Sequence, residues 1–329
     1  MQSARPATAR AGRPAQIDPS REPGDRFLIA EGHCRSAPEN ALPQFAIRLA
    51  LLLIGAAALA AAPPQRIVST APSITETLFA VGAGPSVVGV TNFCHYPREA
   101  LRIRKIGTYL QPHTETILSL KPDLVISEAS PLHTRDQFEA MGLKVLRVRF
   151  ESIADVLESI RTIGAATGNT ARAEKVVASI QGDLASVRSR VAGLAPVPLM
   201  FIVGRTPSAL EGIIVTGSAR YMNEVMQIAG GRNVFADAAA RYFRVPHEEI
   251  IARDPAVILD MGDMADTKTV TEEHRRSVEV LWKREMGILR AVRSGRVHAI
   301  ASDIYVVTGP RVAECARAFA RMLHPEVFR

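Results

Sequence analysis

Cysteine is scarce in this chain, with three in 329 residues, and tryptophan scarcer still, with one; aromatic residues make up only 5%. Cys34 falls in a stretch set apart from the fold below. Cys94 and Cys315 are read as free thiols, although spacing alone leaves a pairing in an oxidising compartment open. Long hydrophobic runs are missing. The longest, Leu49–Ala60, is about a dozen residues, short of the roughly 20 that a membrane-spanning helix needs. The net charge of +7 is spread among both signs and not gathered into a patch, so nucleic acid is not implied. Gly82-Ala-Gly84 follows a helical pattern where a phosphate-binding motif must precede one. Neither Thr70-Ala-Pro-Ser73 nor Thr216-Gly-Ser218 has the nucleophile-elbow pattern, and no paired catalytic carboxylates stand out. An exported hydrolase is therefore a minor alternative.

With 47% hydrophobic residues, the chain is globular and long enough for two domains. Arg48 leads into the apolar run, and Ala61-Ala62-Pro63-Pro64 closes it, which is the pattern of a secretory signal peptide over 45–62. Residues 1–44 are aperiodic, rich in Arg, Pro and Gly, and are expected to be a mis-called or disordered leader. No cysteine follows the apolar run directly, so a soluble periplasmic protein is expected over a lipid-anchored one.

Two stretches, 133 positions apart, spell nearly the same words: Glu115-Thr-Ile-Leu-Ser-Leu-Lys-Pro-Asp-Leu-Val-Ile126 and Glu248-Glu-Ile-Ile-Ala-Arg-Asp-Pro-Ala-Val-Ile-Leu259. Each reads as a short helix opened by glutamate, stopped by proline and followed by a buried strand. A unit repeated once at this distance predicts two similar lobes. Strand and helix signals alternate over 65–150 and again over 197–329, each strand nearly all apolar, as in a parallel sheet covered on both faces. Ser73 with Glu76 three later fits a capping box for a helix over 74–81. Residues 152–194 carry only helical spacing, interrupted at Gly168-Asn169-Thr170. The expected architecture is two Rossmann-like α/β lobes with mostly parallel sheets, joined by one long α-helix.

The order of these words resembles the periplasmic substrate-binding proteins of ABC importers for cobalamin and iron chelates. The resemblance covers about 65–325 and rests on Arg66–Ala80, Val88-Gly-Val-Thr91, Cys94-His-Tyr-Pro97, Gly107-Thr-Tyr109, the repeated words, Ala229–Phe235 and Gly295-Arg-Val-His298. It implies a shallow cleft between lobes that move little, a corrinoid or ferric chelate (siderophore or haem) as ligand, and no resident cofactor. It also implies a monomer in the periplasm that docks on an inner-membrane permease dimer. A glutamate on each lobe is expected to meet permease arginines, matching Glu115 and Glu248, with Glu249 a possible substitute.

Ligands of open α/β sheets sit outside the carboxyl ends of the strands. The loops expected there carry Tyr96, Tyr109, Tyr242, Phe243 and Tyr305, faces for a large flat ligand. Tyr109, Tyr242 and the Asp303-Ile304-Tyr305 loop match family positions. Arg244 and Arg241 flank the Tyr242-Phe243 pair, and Arg205 and Arg311 lie at other loop or helix ends, where guanidinium groups could meet anions. The family's cobalamin binders tend to use tryptophan in the cleft, whereas Trp282 here falls inside a predicted helix. Bare zinc or manganese is the other alternative, held by His95, His113, His133 or His247 with Glu128 and Asp303.

Overall fold

The computed structural model describes residues 62–108, 110–129, 137–262 and 270–328. The expectations for 1–44 and for the apolar segment before residue 62 lie outside the described residues. Chain order begins with β1 (Ile67–Ser69), α1 (Pro72–Ala80), β2 (Val87–Val90), β3 (Arg104–Lys105), α2 (Thr114–Ser119), β4 (Leu124–Glu128), α3 (Gln137–Ala140) and β5 (Val145–Val148). These strands form an all-parallel sheet in the order β3-β2-β1-β4-β5, with Ile67 opposite Leu124 on one side and Val87 on the other. The order reverses between β1 and β4, which is where a crevice opens at the carboxyl edge of such a sheet.

Two helices follow, α4 (Ile153–Ala166) and α5 (Thr170–Val191). Ser152 caps α4, its Oγ accepting from the Asp155 N–H at 3.1 Å. Gly168, at φ +71°, turns the chain between the helices. They approach closely, since a Cβ on Gly164 would lie 2.3 Å from the Ala173 Cβ. The connector is thus a helical hairpin whose second arm, of 22 residues, spans about 33 Å.

The second lobe holds β6 (Val197–Gly204), β7 (Ile214–Thr216), α6 (Arg220–Ile228), β8 (Gly231–Asn233), β9 (Tyr242–Arg244), α7 (His247–Arg253) and β10 (Val257–Asp260). After these come α8 (Glu272–Met286), α9 (Arg290–Arg293), β11 (Val297–Ala299) and α10 (Val312–Leu323). Its sheet runs β11-β10-β6-β7-β9, with β8 beside the start of β6; β7 and β9 are antiparallel to their neighbours. The lobes are therefore similar but not copies, because the second has an antiparallel edge where loops were expected. Three-residue strands are too short to print an alternating pattern. The helix expected around Trp282 starts at Glu272, because Thr271 Oγ accepts from the His274 N–H at 3.1 Å, and it stops at Gly287.

The repeated words fold alike. Ile117 and Ile250 are the fully buried anchors of α2 and α7. Lys121 and Asp254, the equivalent residues before each proline, both take positive φ, 45° and 36°.

Side-chain alternation along β6 divides two cores. Met200 and Ile202 face a cluster with Trp282 and Met286. Leu199, Phe201 and Val203 face a larger one that continues through α6, α10, α5 and α4 to Ile74, Leu78 and Ile67 of the first lobe. One apolar core thus joins both lobes and the connector.

A buried ion pair crosses the same junction. Arg311, just before α10, donates from Nε to Glu76 Oε2 of α1 at 2.9 Å and from Nη2 to Glu76 Oε1. Its Nη1 donates to Asp303 Oδ1 at 3.0 Å. Burial lifts the Glu76 carboxyl above its ordinary value, and Arg311 holds it back only in part. Burial likewise works against the Arg311 charge, but Glu76 and Asp303 outweigh it and hold the guanidinium above its ordinary range. The expected capping box is absent: Ala71 is the N-cap, Ser73 donates to Glu128 at 2.9 Å, and Glu76 is committed to Arg311. Both residues serve tertiary contacts, which sequence spacing does not distinguish from a local cap.

Two stability measurements follow from these contacts. Arg311→Met leaves the Glu76 charge buried without a partner and is expected to lower unfolding free energy by about 3–5 kcal/mol in urea titrations. Glu76→Leu combined with Arg311→Met is expected to recover most of that loss. Lys121→Gly relieves a left-handed backbone at some entropic cost, for a net gain of about 0.5–1 kcal/mol. Asp254→Gly gains nothing, because the Asp254 carboxylate accepts from the Arg290 N–H at 2.8 Å.

Candidate functional site

At the carboxyl edge of the first sheet a cavity of about 230 Å³ opens between the lobes. Glu128, at the end of β4, and Arg149, Phe150 and Glu151, just after β5, form one wall. Arg220 and Tyr221 of α6, Arg241 and Tyr242 at the start of β9, and Thr308 form the other. The volume is below the usual range for drug-sized ligands, so in this state the cavity admits the edge of a large molecule and not its whole body.

Arg241 Nη2 lies 2.8 Å from Glu151 Oε1 and ties the walls together. Both side chains are about half exposed or more, at 61% and 46%. A pair of that kind contributes about 0–1 kcal/mol, so separating it costs little. The contrast with Glu76–Arg311 is one of burial: one cross-lobe pair can part cheaply, the other cannot.

Tyr221 is the polar group left without a partner here. It is 5% exposed, and its hydroxyl makes no hydrogen bond among the described residues. Burial, followed by the charges of Cys315 and Glu76, pushes the phenol well above its ordinary range and keeps it protonated. The hydroxyl oxygen is itself shut off from solvent, so Tyr221 contributes to the wall of the cavity and offers no accessible donor. Tyr242, 49% exposed, offers a ring face nearby.

The expected site residues disperse. Tyr242 lines the cavity, and Arg244 is exposed on the same face of β9. Phe243 points the opposite way and packs edge-on against Phe235 at 5.8 Å, so it is a core residue and not a cleft one. Tyr305 stacks on Phe319 at 5.5 Å with its hydroxyl pushed up to about 12 by burial; it belongs to the shared core's margin and not to this cavity. Asp303 is taken up by Arg311. Tyr96 lies under the Arg311 guanidinium, 4.1 Å from ring centroid to Cζ, beside a second interlobe groove of about 480 Å³. Tyr109 and His133 lie outside the described residues.

Arg205 is not a ligand-facing group. Its Nε donates to both Asp260 oxygens, at 3.0 and 3.2 Å, deep in the second lobe, where Trp282 Nε1 also donates to Asp260 at 2.8 Å. The residues weighed for a bare metal are not brought together. Glu128 accepts from Ser73, Asp303 from Arg311, and a His247 ring nitrogen faces the Leu210 carbonyl. No group of three His, Cys, Asp or Glu among the described residues could hold a metal ion. Cys94 and Cys315 are both buried free thiols.

Arg149, Phe150, Glu151 and Tyr221 were not singled out by the sequence. Tyr221 lies between apolar helical positions and reads as core, which most of its ring is. Arg149 to Glu151 close an ordinary strand, and only the sheet order brings that strand end to the cleft.

The family described as periplasmic binding protein matches residues 67–304. An uncharacterized ABC transporter substrate-binding lipoprotein, YvrC of Bacillus subtilis, is 29% identical over 274 residues, 81% of this chain and 82% of that protein. A vitamin B12-binding protein of Salmonella choleraesuis is 30% identical over 220 residues, 66% of this chain and 79% of its own length. Among solved structures, the periplasmic heme-binding protein RhuT from Roseiflexus sp. RS-1, in apo form, superposes with a TM-score of 0.66 at 26% identity, covering 80% of this chain and 99% of that one. With the family's match running from the first strand to the turn before the last helix, this chain belongs to the periplasmic binding proteins.

Proposed function

We propose that this protein is the extracytoplasmic receptor of an ABC importer, and that it captures a corrinoid or an iron chelate and delivers it to a membrane permease. The observation that carries the reading is the interlobe cavity, with the Tyr242 ring, one side of Tyr221 and three arginines, Arg149, Arg220 and Arg241, around one opening. A flat chelate with polar groups at its rim suits that surface: its face packs on the aromatic ring and its rim oxygens meet the guanidinium donors. The relatives' stated ligands, vitamin B12 and heme, are of this kind. They are carried by binding proteins, in keeping with a reading as a receptor and not an enzyme.

Loading is a binding step. The chelate separates the exposed Arg241–Glu151 pair and seats between the lobes, while the shared core and the buried ion pair hold their orientation. The loaded protein then meets the permease through Glu115 and Glu248. Both carboxylates are exposed, on the first turns of α2 and α7, and neither has a hydrogen bond or ion pair among the described residues. Glu249, by contrast, accepts from its own helix's Arg253 at 2.9 Å, which leaves Glu248 as the available charge.

Equilibrium dialysis against cyanocobalamin, haemin, ferric siderophores, zinc and manganese tests the ligand class. One coloured chelate is expected to bind one to one, with Tyr242→Ala and Arg241→Ala each weakening it about tenfold. Retention of bare metal only, or of nothing, would refute the reading. In cells, Glu115→Lys with Glu248→Lys is expected to abolish uptake while ligand affinity stays unchanged. Lost affinity in that double variant would place the glutamates in the ligand site instead.

A further inference from the structure

On α2, Ile117 turns inward and is fully buried, while Leu118 turns outward and is 44% exposed. On α7, Ile250 is fully buried and Ile251 is 43% exposed. Leu118 and Ile251 are separated by the same 133 positions as Glu115 and Glu248. In each helix the exposed aliphatic stands three residues after the unpaired glutamate, which places the two side chains together on one outer face. The other outward positions are not kept in kind: Thr116 against Glu249, Ser119 against Ala252, Leu120 against Arg253.

An isolated exposed aliphatic is ordinary. A carboxylate without a partner among the described residues, next to an exposed aliphatic, appearing at matching places in both lobes, is a pattern that core packing does not account for. We infer that each lobe docks through a two-part contact, a glutamate and the aliphatic one turn on, and that the partner presents a basic side chain beside an apolar depression twice, once in each of two like halves. The inference rests on the docking role proposed for Glu115 and Glu248. The charge complementarity selects a cationic partner, and the repetition selects a two-fold one, as a permease dimer is. In this arrangement the glutamates set the approach and its salt dependence, while Leu118 and Ile251 set how long the complex lasts.

The test is the affinity of the full chain for the two-fold permease of its own importer in nanodiscs, by biolayer interferometry from low to high salt. Leu118→Ser and Ile251→Ser are each expected to raise Kd about tenfold, chiefly through faster dissociation, and together about a hundredfold. The salt dependence of wild type is retained, Leu118→Met and Ile251→Met restore most of the affinity, and thermal midpoints stay within a degree or two of wild type. Glu115→Gln with Glu248→Gln weakens binding and flattens the salt dependence. If the serine pair binds as wild type does while the glutamine pair is weakened, the aliphatic half of the contact is refuted and the docking role stands. If the glutamine pair also binds as wild type does, the docking role itself fails. A free protein that dimerises by light scattering, and loses the dimer in the serine pair, would assign the face to a second copy of this chain and overturn the inference.

Discussion

The Arg311 guanidinium sits between Glu76 of the first lobe and Asp303 of the second, and it lies beside a core that runs unbroken through both. A charge in that position can leave neither carboxylate without exposing one or stranding one, and each alternative costs several kcal/mol. The apolar core penalises separation in the same direction, since parting the lobes would wet α1, α6 and α10 together. Interlobe geometry is therefore set by contacts that cannot part cheaply. The connector adds to this: α4 and α5 pack on each other at Gly164 and Ala173, and contribute side chains to the common core.

From this constraint follows the character of the cleft. A receptor whose lobes cannot swing far apart must adapt to its ligand with side chains at the rim, and the rim here is built of long, exposed ones. Arg241 and Glu151 meet in solvent and part at little cost, beside the exposed ring of Tyr242. A ligand that supplies acceptors to the rim arginines and an aromatic or conjugated face to Tyr242 is the kind such a rim can hold. In the proposed docking, a partner that meets lobes held in one orientation reads fixed surface features, and the matched glutamates of α2 and α7 are the ones proposed.

The repeat was legible because it is written in residue types: glutamate, buried isoleucine, proline, apolar strand. Its conformational echo, the positive φ at Lys121 and Asp254, was not legible, since lysine carries no preference for that backbone. Alternating parallel strands could be read from their apolar runs, but β7 and β9 could not, being short antiparallel strands held at the sheet edge by their neighbours. Ser73 and Glu76 had the spacing of a local cap and proved to be tertiary. At the site, β9 shows the limit well: sequence marked Tyr242 and Phe243 alike, and strand alternation sent one to the cleft and the other into the core. Trp282, by contrast, was placed correctly in a helix, where it donates to Asp260 and not to any ligand.

The constraint on the lobes is open to direct measurement by double electron–electron resonance. Spin labels at Leu101 in the first lobe and Val280 in the second, both exposed, report the interlobe distance; Cys94 and Cys315 are buried away from the labelling reagent, and Cys34 is replaced by serine. Distances would be recorded with and without saturating chelate, once dialysis has shown which one binds. A single narrow distribution that shifts by less than about 2 Å on loading is the predicted result. Two populations in the free protein, or a closure well beyond that shift, would contradict a receptor whose lobes are held by one core and one buried ion pair.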